Sequence, residues 1–186
     1  MKRLHWILSA AMTLSASVAL QAQQSLEEVV QEAGVQWAFG RWKGQTENGD
    51  TIIQQVRWDL DKHIVAHRGQ IGDQIKFMGI TGVNPETGDA TYTGFDNRGG
   101  TSKGTWTMEG GDLVLRIEGV SPDGNTWKGA VVFAQAGDKK LEMRMHSLDQ
   151  WGDLEYPARF SITLTKMKAP ARRPQGARAR VKSQKK

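Results

Sequence analysis

Four groups of residues in this chain have the types and spacings that could do chemistry. Met143-Arg144-Met145-His146 offers two thioethers and an imidazole, a donor set suited to a soft ion such as Cu(I). On a strand, however, Met143 and Met145 share one face about 7 Å apart while His146 points to the other, so two methionines filling irregular core space are the better account. His63 and His67 do share a face, but at about 13 Å they need help from another strand to hold one ion. Asp59, Asp61, Glu142, Asp149 and Asp153 could supply the paired carboxylates of a hydrolase, yet most fall at strand ends or solvent-facing positions, where acids serve solubility. Asn97-Arg98-Gly99-Gly100 and Glu109-Gly110-Gly111 are hairpin turns rather than phosphate loops, because no helix N-terminus follows to supply aligned amides. There is no cysteine, which excludes disulfides, thiolate metal sites and a cysteine nucleophile.

These residues are positioned by a body whose rhythm is that of an antiparallel barrel. From residue 38 onward, short runs of alternating apolar and polar residues are broken by Asn48-Gly49-Asp50, Gly72-Asp73, Asn84 to Asp89, Asn97 to Gly100, Gly110-Gly111-Asp112, Asp123-Gly124-Asn125 and Gly137-Asp138. The pattern predicts ten strands, at about 38–46, 51–60, 63–71, 74–83, 90–96, 101–109, 112–120, 126–136, 139–148 and 159–167. Neighbours in sequence should pair. With one apolar face per strand, the sheet closes on itself as an all-β, up-and-down antiparallel β-barrel of about 8–10 strands. A short helix precedes it: Ser25-Leu26-Glu27-Glu28 is a capping box, Leu26, Val29, Val30 and Ala33 recur at helical spacing, and Gly34 is the stop.

The parity of each strand selects the inward side chains. Trp58, Phe77, Trp106, Leu115, Trp127, Phe133, Met143, Met145 and Phe160 should line one apolar interior, a composition suited to a hydrophobic or aromatic small molecule. The competing expectation is that they interdigitate as a filled core with no ligand. A barrel enzyme or a metal protein is a further alternative, and no cofactor is required by any motif.

Residues 1–22 read as a signal peptide: Lys2 and Arg3, an apolar stretch from Trp6 to Leu20, and a small-residue cleavage site ending at Ala22. The stretch falls short of the ~20 residues of a membrane span, so no span is expected in the mature chain, and no cysteine follows to carry a lipid. The protein is therefore expected to be exported, periplasmic or secreted. Residues 23–167 form the barrel domain and 168–186 a basic tail. The formal net charge of +5 hides an asymmetry: the tail holds eight Lys or Arg and no acid, the leader two, and the body between them carries −5. A tail with Val181 as its one bulky apolar residue cannot offset its ordering entropy and is expected to be disordered. It could touch an anionic envelope surface through salt-sensitive contacts; nucleic acid is the weaker option for an exported chain.

Particular residues also carry a family resemblance, which spans about residues 26 to 167. Phe39-Gly40-Arg41-Trp42-Lys43-Gly44 resembles the Gly-x-Trp start of the calycins, the lipocalin-like barrels. Val56-Arg57-Trp58-Asp59-Leu60, Asn84-Pro85-Glu86-Thr87-Gly88-Asp89 and Thr93-Gly94-Phe95-Asp96 resemble a group of bacterial, exported, uncharacterised lipocalin-like domains. The resemblance implies a calycin barrel in which Gly40 and Trp42 close one end, with a cation from the last strand laid over the indole. Lys166, which shares the parity of Leu164, is the better candidate for that cation than Arg159. No activity is established for the group and none is carried over. The start is also similar to that of heme-binding nitrobindins, which makes heme a possible cofactor, although no ligating histidine can be matched.

Overall fold

The structure, a computed structural model, describes residues 24–168, so the expected signal peptide and all of the tail beyond Lys168 lie outside the described residues. A seven-residue helix, α1 (Leu26–Glu32), and a 3-10 turn (Gln36–Ala38) lead into ten strands. They are β1 (Gly40–Gln45), β2 (Thr51–Asp59), β3 (Ile64–Ile71), β4 (Ile75–Val83), β5 (Ala90–Asp96), β6 (Thr101–Glu109), β7 (Asp112–Val120), β8 (Thr126–Gln135), β9 (Lys140–His146) and β10 (Phe160–Lys166). Each pairs antiparallel with its sequence neighbour, and β1 pairs with β10 through Trp42 opposite Lys166, so the barrel is closed. Short turns let the strands pair in order, and closure leaves no strand edge open.

The capping box forms as the sequence predicts. Glu28 N–H donates to Ser25 Oγ at 3.3 Å, and the Ser25 N–H donates to the Glu28 carboxylate at 2.7 Å. Those bonds hold the Glu28 carboxyl below the usual carboxylate range. Leu26 and Val30, one turn apart, turn inward onto Val65 and seat α1 over the end of the barrel where β2 ends and β3 begins. Gly34 follows with φ +66, the left-handed conformation that ends helices. A Ser25→Ala variant is expected to raise amide hydrogen exchange across α1 about fivefold, the loss of one cap, while leaving strand protection unchanged.

The two ends of the interior are built differently. Away from α1, glycines on one strand leave room for aromatics on the next. Phe77 lies across Gly69, and Trp127 lies across Gly119, each opposite its partner in register. Tyr92 covers both Gly79 and Gly94. A Cβ at Gly69 would meet the Phe77 ring at 1.9 Å, so this packing requires glycine there. Ile52, Met143, Ile162 and Leu164 pack nearby with Phe160 and Ile71 against them.

One feature lies outside the barrel. Residues 147–159 fold as a strap over the outer faces of β7 and β8, where Val114, Ala130 and Val132 are buried against Leu148 and Leu154. Leu148 and Leu154 bridge across a small loop in which the Asp149 carboxylate accepts the N–H groups of Trp151 and Asp153, both at 2.9 Å. Arg116 Nε donates to Gly152 O at 3.0 Å, and one His146 ring nitrogen, Nδ1, lies 2.9 Å from Glu155 O. His146 does point away from Met143 and Met145, and its place is under this strap.

Candidate functional site

The half of the barrel beneath α1 is hollow. A cavity of about 150 Å³ lies between the helix and a layer of side chains near mid-barrel. Its roof is Leu26, Val29 and Val30 of α1 and Ala33 at the helix C-cap; its walls include Phe39, Trp42, Val56, Val65, Leu113, Phe133 and Leu141. Thr107 and Met108, both exposed on β6, also line it and place its mouth between that strand and the helix.

Among the described lining residues the polar groups are few, and those deepest in the barrel converge. Gln54, His67 and Thr81 are all buried and occupy inward positions on the three consecutive strands β2, β3 and β4. Gln54 pairs with Gly69 in register and His67 with Val56, so the two polar side chains are diagonal neighbours on one face. His67 Nε2 lies 2.9 Å from Thr81 Oγ1, and Trp106 Nε1–H donates to the same oxygen at 2.9 Å. The imidazole stacks on Trp106 with centroids 5.8 Å apart and meets Tyr92 edge-on at 5.6 Å. Burial among these rings lowers the His67 pKa from 6.5 to about 4, so the ring is neutral at pH 7. Gln54 Oε1 is buried and has no hydrogen-bond partner.

The hydroxyl of Thr81 beside His67 has the outline of a nucleophile and its base, but two facts count against that chemistry. A base whose pKa is about 4 is weak near neutral pH, and Trp106 already donates into the oxygen that would attack. Among the described residues no three His, Asp or Glu side chains gather as a metal-binding group. Asp59 accepts from Arg57 and from Leu60 N–H, Glu142 accepts from Ser161, and Asp149 organises the strap. His63 is exposed just before β3, whereas His67 is buried within it.

Of the nine side chains expected to share one lining, the cavity gathers Trp106 and Phe133, whose rings lie 6.1 Å apart. Trp58 is instead stacked on Phe39 at 4.7 Å, among the side chains beneath α1. Phe77 sits in its glycine socket, and Leu115 is buried beside Gly104. Met143 and Phe160 belong to the packed core. Trp127 and Met145 stand at the far rim, 40% and 43% exposed. Their parity is inward, but parity gives the face of a strand and not the depth along the barrel. Trp42 and Lys166, the residues the resemblance gives as end-closing, face each other where β1 pairs with β10. Trp42 is 2% exposed, its Nε1–H donates to Ala38 O at 2.9 Å, and Lys166 Nζ lies 5.1 Å from the ring centroid. Gly40, at φ +129, leaves room for that lysine, since a Cβ there would meet Lys166 Cε at 2.8 Å.

Gln54 and Thr81 line the cavity without being among the expected lining residues, because that expectation takes only apolar and aromatic side chains. The signal was present, since Gln54 shares the parity of Ile52 and Val56. So was the signal for the strap: Leu113-Val114-Leu115 and Ala130-Val131-Val132-Phe133 are apolar on both faces.

No family model matches the chain, and none of the curated proteins matches it. The fold and the cavity together define a closed, ten-stranded antiparallel barrel, consistent with a calycin-like fold, that is hollow in one half and packed in the other. Among the described residues no helix is long and apolar enough to cross a membrane.

Proposed function

We propose that this protein is an exported small-molecule-binding barrel, a carrier or sensor that holds a hydrophobic or aromatic ligand beneath α1. One observation carries the reading: a cavity of about 150 Å³, lined almost wholly by apolar side chains, with a few buried polar groups at its floor. That is the usual make-up of a small-ligand site, in which apolar area supplies affinity and a few polar atoms fix orientation. An apolar cavity of roughly this size accommodates benzene in another protein. A wholly filled core accounts for the far half of the barrel but not for the half under the helix. Among the described lining residues His67 is the one histidine, and its Nε2 is turned to Thr81, which favours a small neutral ligand over heme. The export part of the reading rests on the leader-like residues 1–22, and cleavage after Ala22 in the mature protein, read by mass spectrometry, tests it. The basic tail would then meet an anionic envelope surface while the barrel keeps its cargo.

Trp106 lies on the cavity wall, so intrinsic fluorescence reports occupancy. Saturable quenching is expected when small aromatic compounds are titrated into the protein. Ala33→Trp, which projects a large side chain from the C-cap of α1 into the cavity, should weaken that binding at least tenfold without unfolding the barrel. If no small aromatic binds, and native mass spectrometry of the purified protein finds no bound molecule, the carrier reading fails.

A further inference from the structure

We propose that the cavity takes a neutral, single-ring molecule carrying one hydroxyl, of the phenol class, with that hydroxyl bonded to the Gln54 side chain. The inference rests on the binding-barrel reading and specifies its ligand. Four observations converge on it.

The floor holds a buried polar atom without a partner. Thr81 Oγ1 already receives Trp106 Nε1–H and pairs with His67 Nε2, whereas Gln54 Oε1, on a residue only 8% exposed that lines the cavity, has no partner. A buried acceptor without a donor is unfavourable, and a molecule that brings a donor to it gains specificity over one that does not. A hydroxyl suits the position for a further reason. It both donates and accepts, so it satisfies the amide in either rotation about its last bond.

Charge is disfavoured in the ligand. Among the described lining residues there is no Lys, Arg, Asp or Glu, and burial keeps His67 neutral at pH 7, so a carboxylate or an ammonium would enter without a counter-ion. Lys166 is not among the lining residues and lies over the Trp42 ring. Size limits the ligand as well, since about 150 Å³ corresponds to one substituted ring rather than a long acyl chain. The wall supplies matching faces in Trp106 and Phe133, and aromatic pairs add specificity to simple burial.

The test compares phenol, toluene and benzoate on the full chain by calorimetry and Trp fluorescence. Phenol is expected to bind, and Gln54→Met, which keeps the volume and removes the amide, should weaken it about tenfold while toluene changes by less than about twofold. Benzoate is expected to bind at least tenfold more weakly than phenol. In the unaltered protein, the Gln54 side-chain amide resonances should shift on phenol addition and not on toluene addition, which tests the contact even if the variant folds poorly. Equal losses for phenol and toluene, preferred binding of benzoate, or an unmoved Gln54 amide would overturn the inference while leaving an aromatic-binding cavity in place. Failure of all three compounds, toluene included, would remove the cavity-binding reading itself.

Discussion

Replacing Trp42 by alanine is expected to cost the barrel about 4 kcal/mol of stability, read as a lowered urea midpoint with little change in slope. The indole is fully buried where the first and last strands meet, packed among Ile52, Leu141, Ile162 and Leu164. Three losses coincide in the truncation. Apolar contacts disappear and leave a void, Ala38 O loses the donor at 2.9 Å, and Lys166 loses the ring beneath it. Since small domains are stable by roughly 5 to 15 kcal/mol, such a loss consumes much of the margin. Trp42→Phe separates the contributions: it keeps most of the buried ring and loses the N–H, for an expected cost of about 1 to 2 kcal/mol. Lys166→Met alone should cost under about 1 kcal/mol, and its effect should vanish in the Trp42→Ala background if the cation acts through the ring. A Trp42→Ala variant within about 1 kcal/mol of the parent would mean that the first and last strands are held together by their ladder alone.

The second large effect is expected in acid. His67 binds its proton at about 4 in the folded chain against 6.5 for an exposed histidine, because burial disfavours the cation. The unfolded chain therefore holds more protons between those values, so stability is full above pH 6.5 and declines as the pH falls toward 4. Desolvation alone corresponds to about 3 kcal/mol over that interval. The window is diagnostic. Glu109 and Glu118, held by Arg116 and Lys103, and Asp96, held by backbone N–H groups, have lowered pKa values and contribute their losses at lower pH. Urea titrations at pH 7 and pH 4.5 should show the loss in the parent and a much smaller one in His67→Gln. An equal acid loss in both would show that another group controls the transition.

Much of the architecture was legible in the residues because period-two alternation between glycine-bearing turns leaves few alternatives to a closed meander. Ile52, Val56 and Trp58 have the same parity as Gln54, and every strand from β1 to β10 falls where its alternation places it. Trp42 and Lys166 were legible from a motif joined to parity. The cavity was less so. Which inward residues surround empty space depends on depth along the barrel and on which strands carry glycine opposite an aromatic, as at Gly69 with Phe77 and Gly119 with Trp127. Neither is a property of one strand. Buried polar residues were passed over for a similar reason: His67 on its own strand reads as a ligand without partners, and becomes a floor only when Thr81 and Trp106 arrive from β4 and β6. The strap over Val114 and Val132 needed the observation that two adjacent strands are apolar on both sides.

The sockets at the far end have a kinetic consequence. With Phe77, Tyr92 and Trp127 packed into backbone gaps there, a molecule of the kind proposed would enter and leave at the helix end, past Met108. Its dwell time would then depend on how often the short helix lifts, and that helix is tied to the barrel in its first turn by the Lys62–Glu27 ion pair. The rates of entry and exit for such a molecule would then respond to changes in α1, while its affinity would be set by the walls and floor.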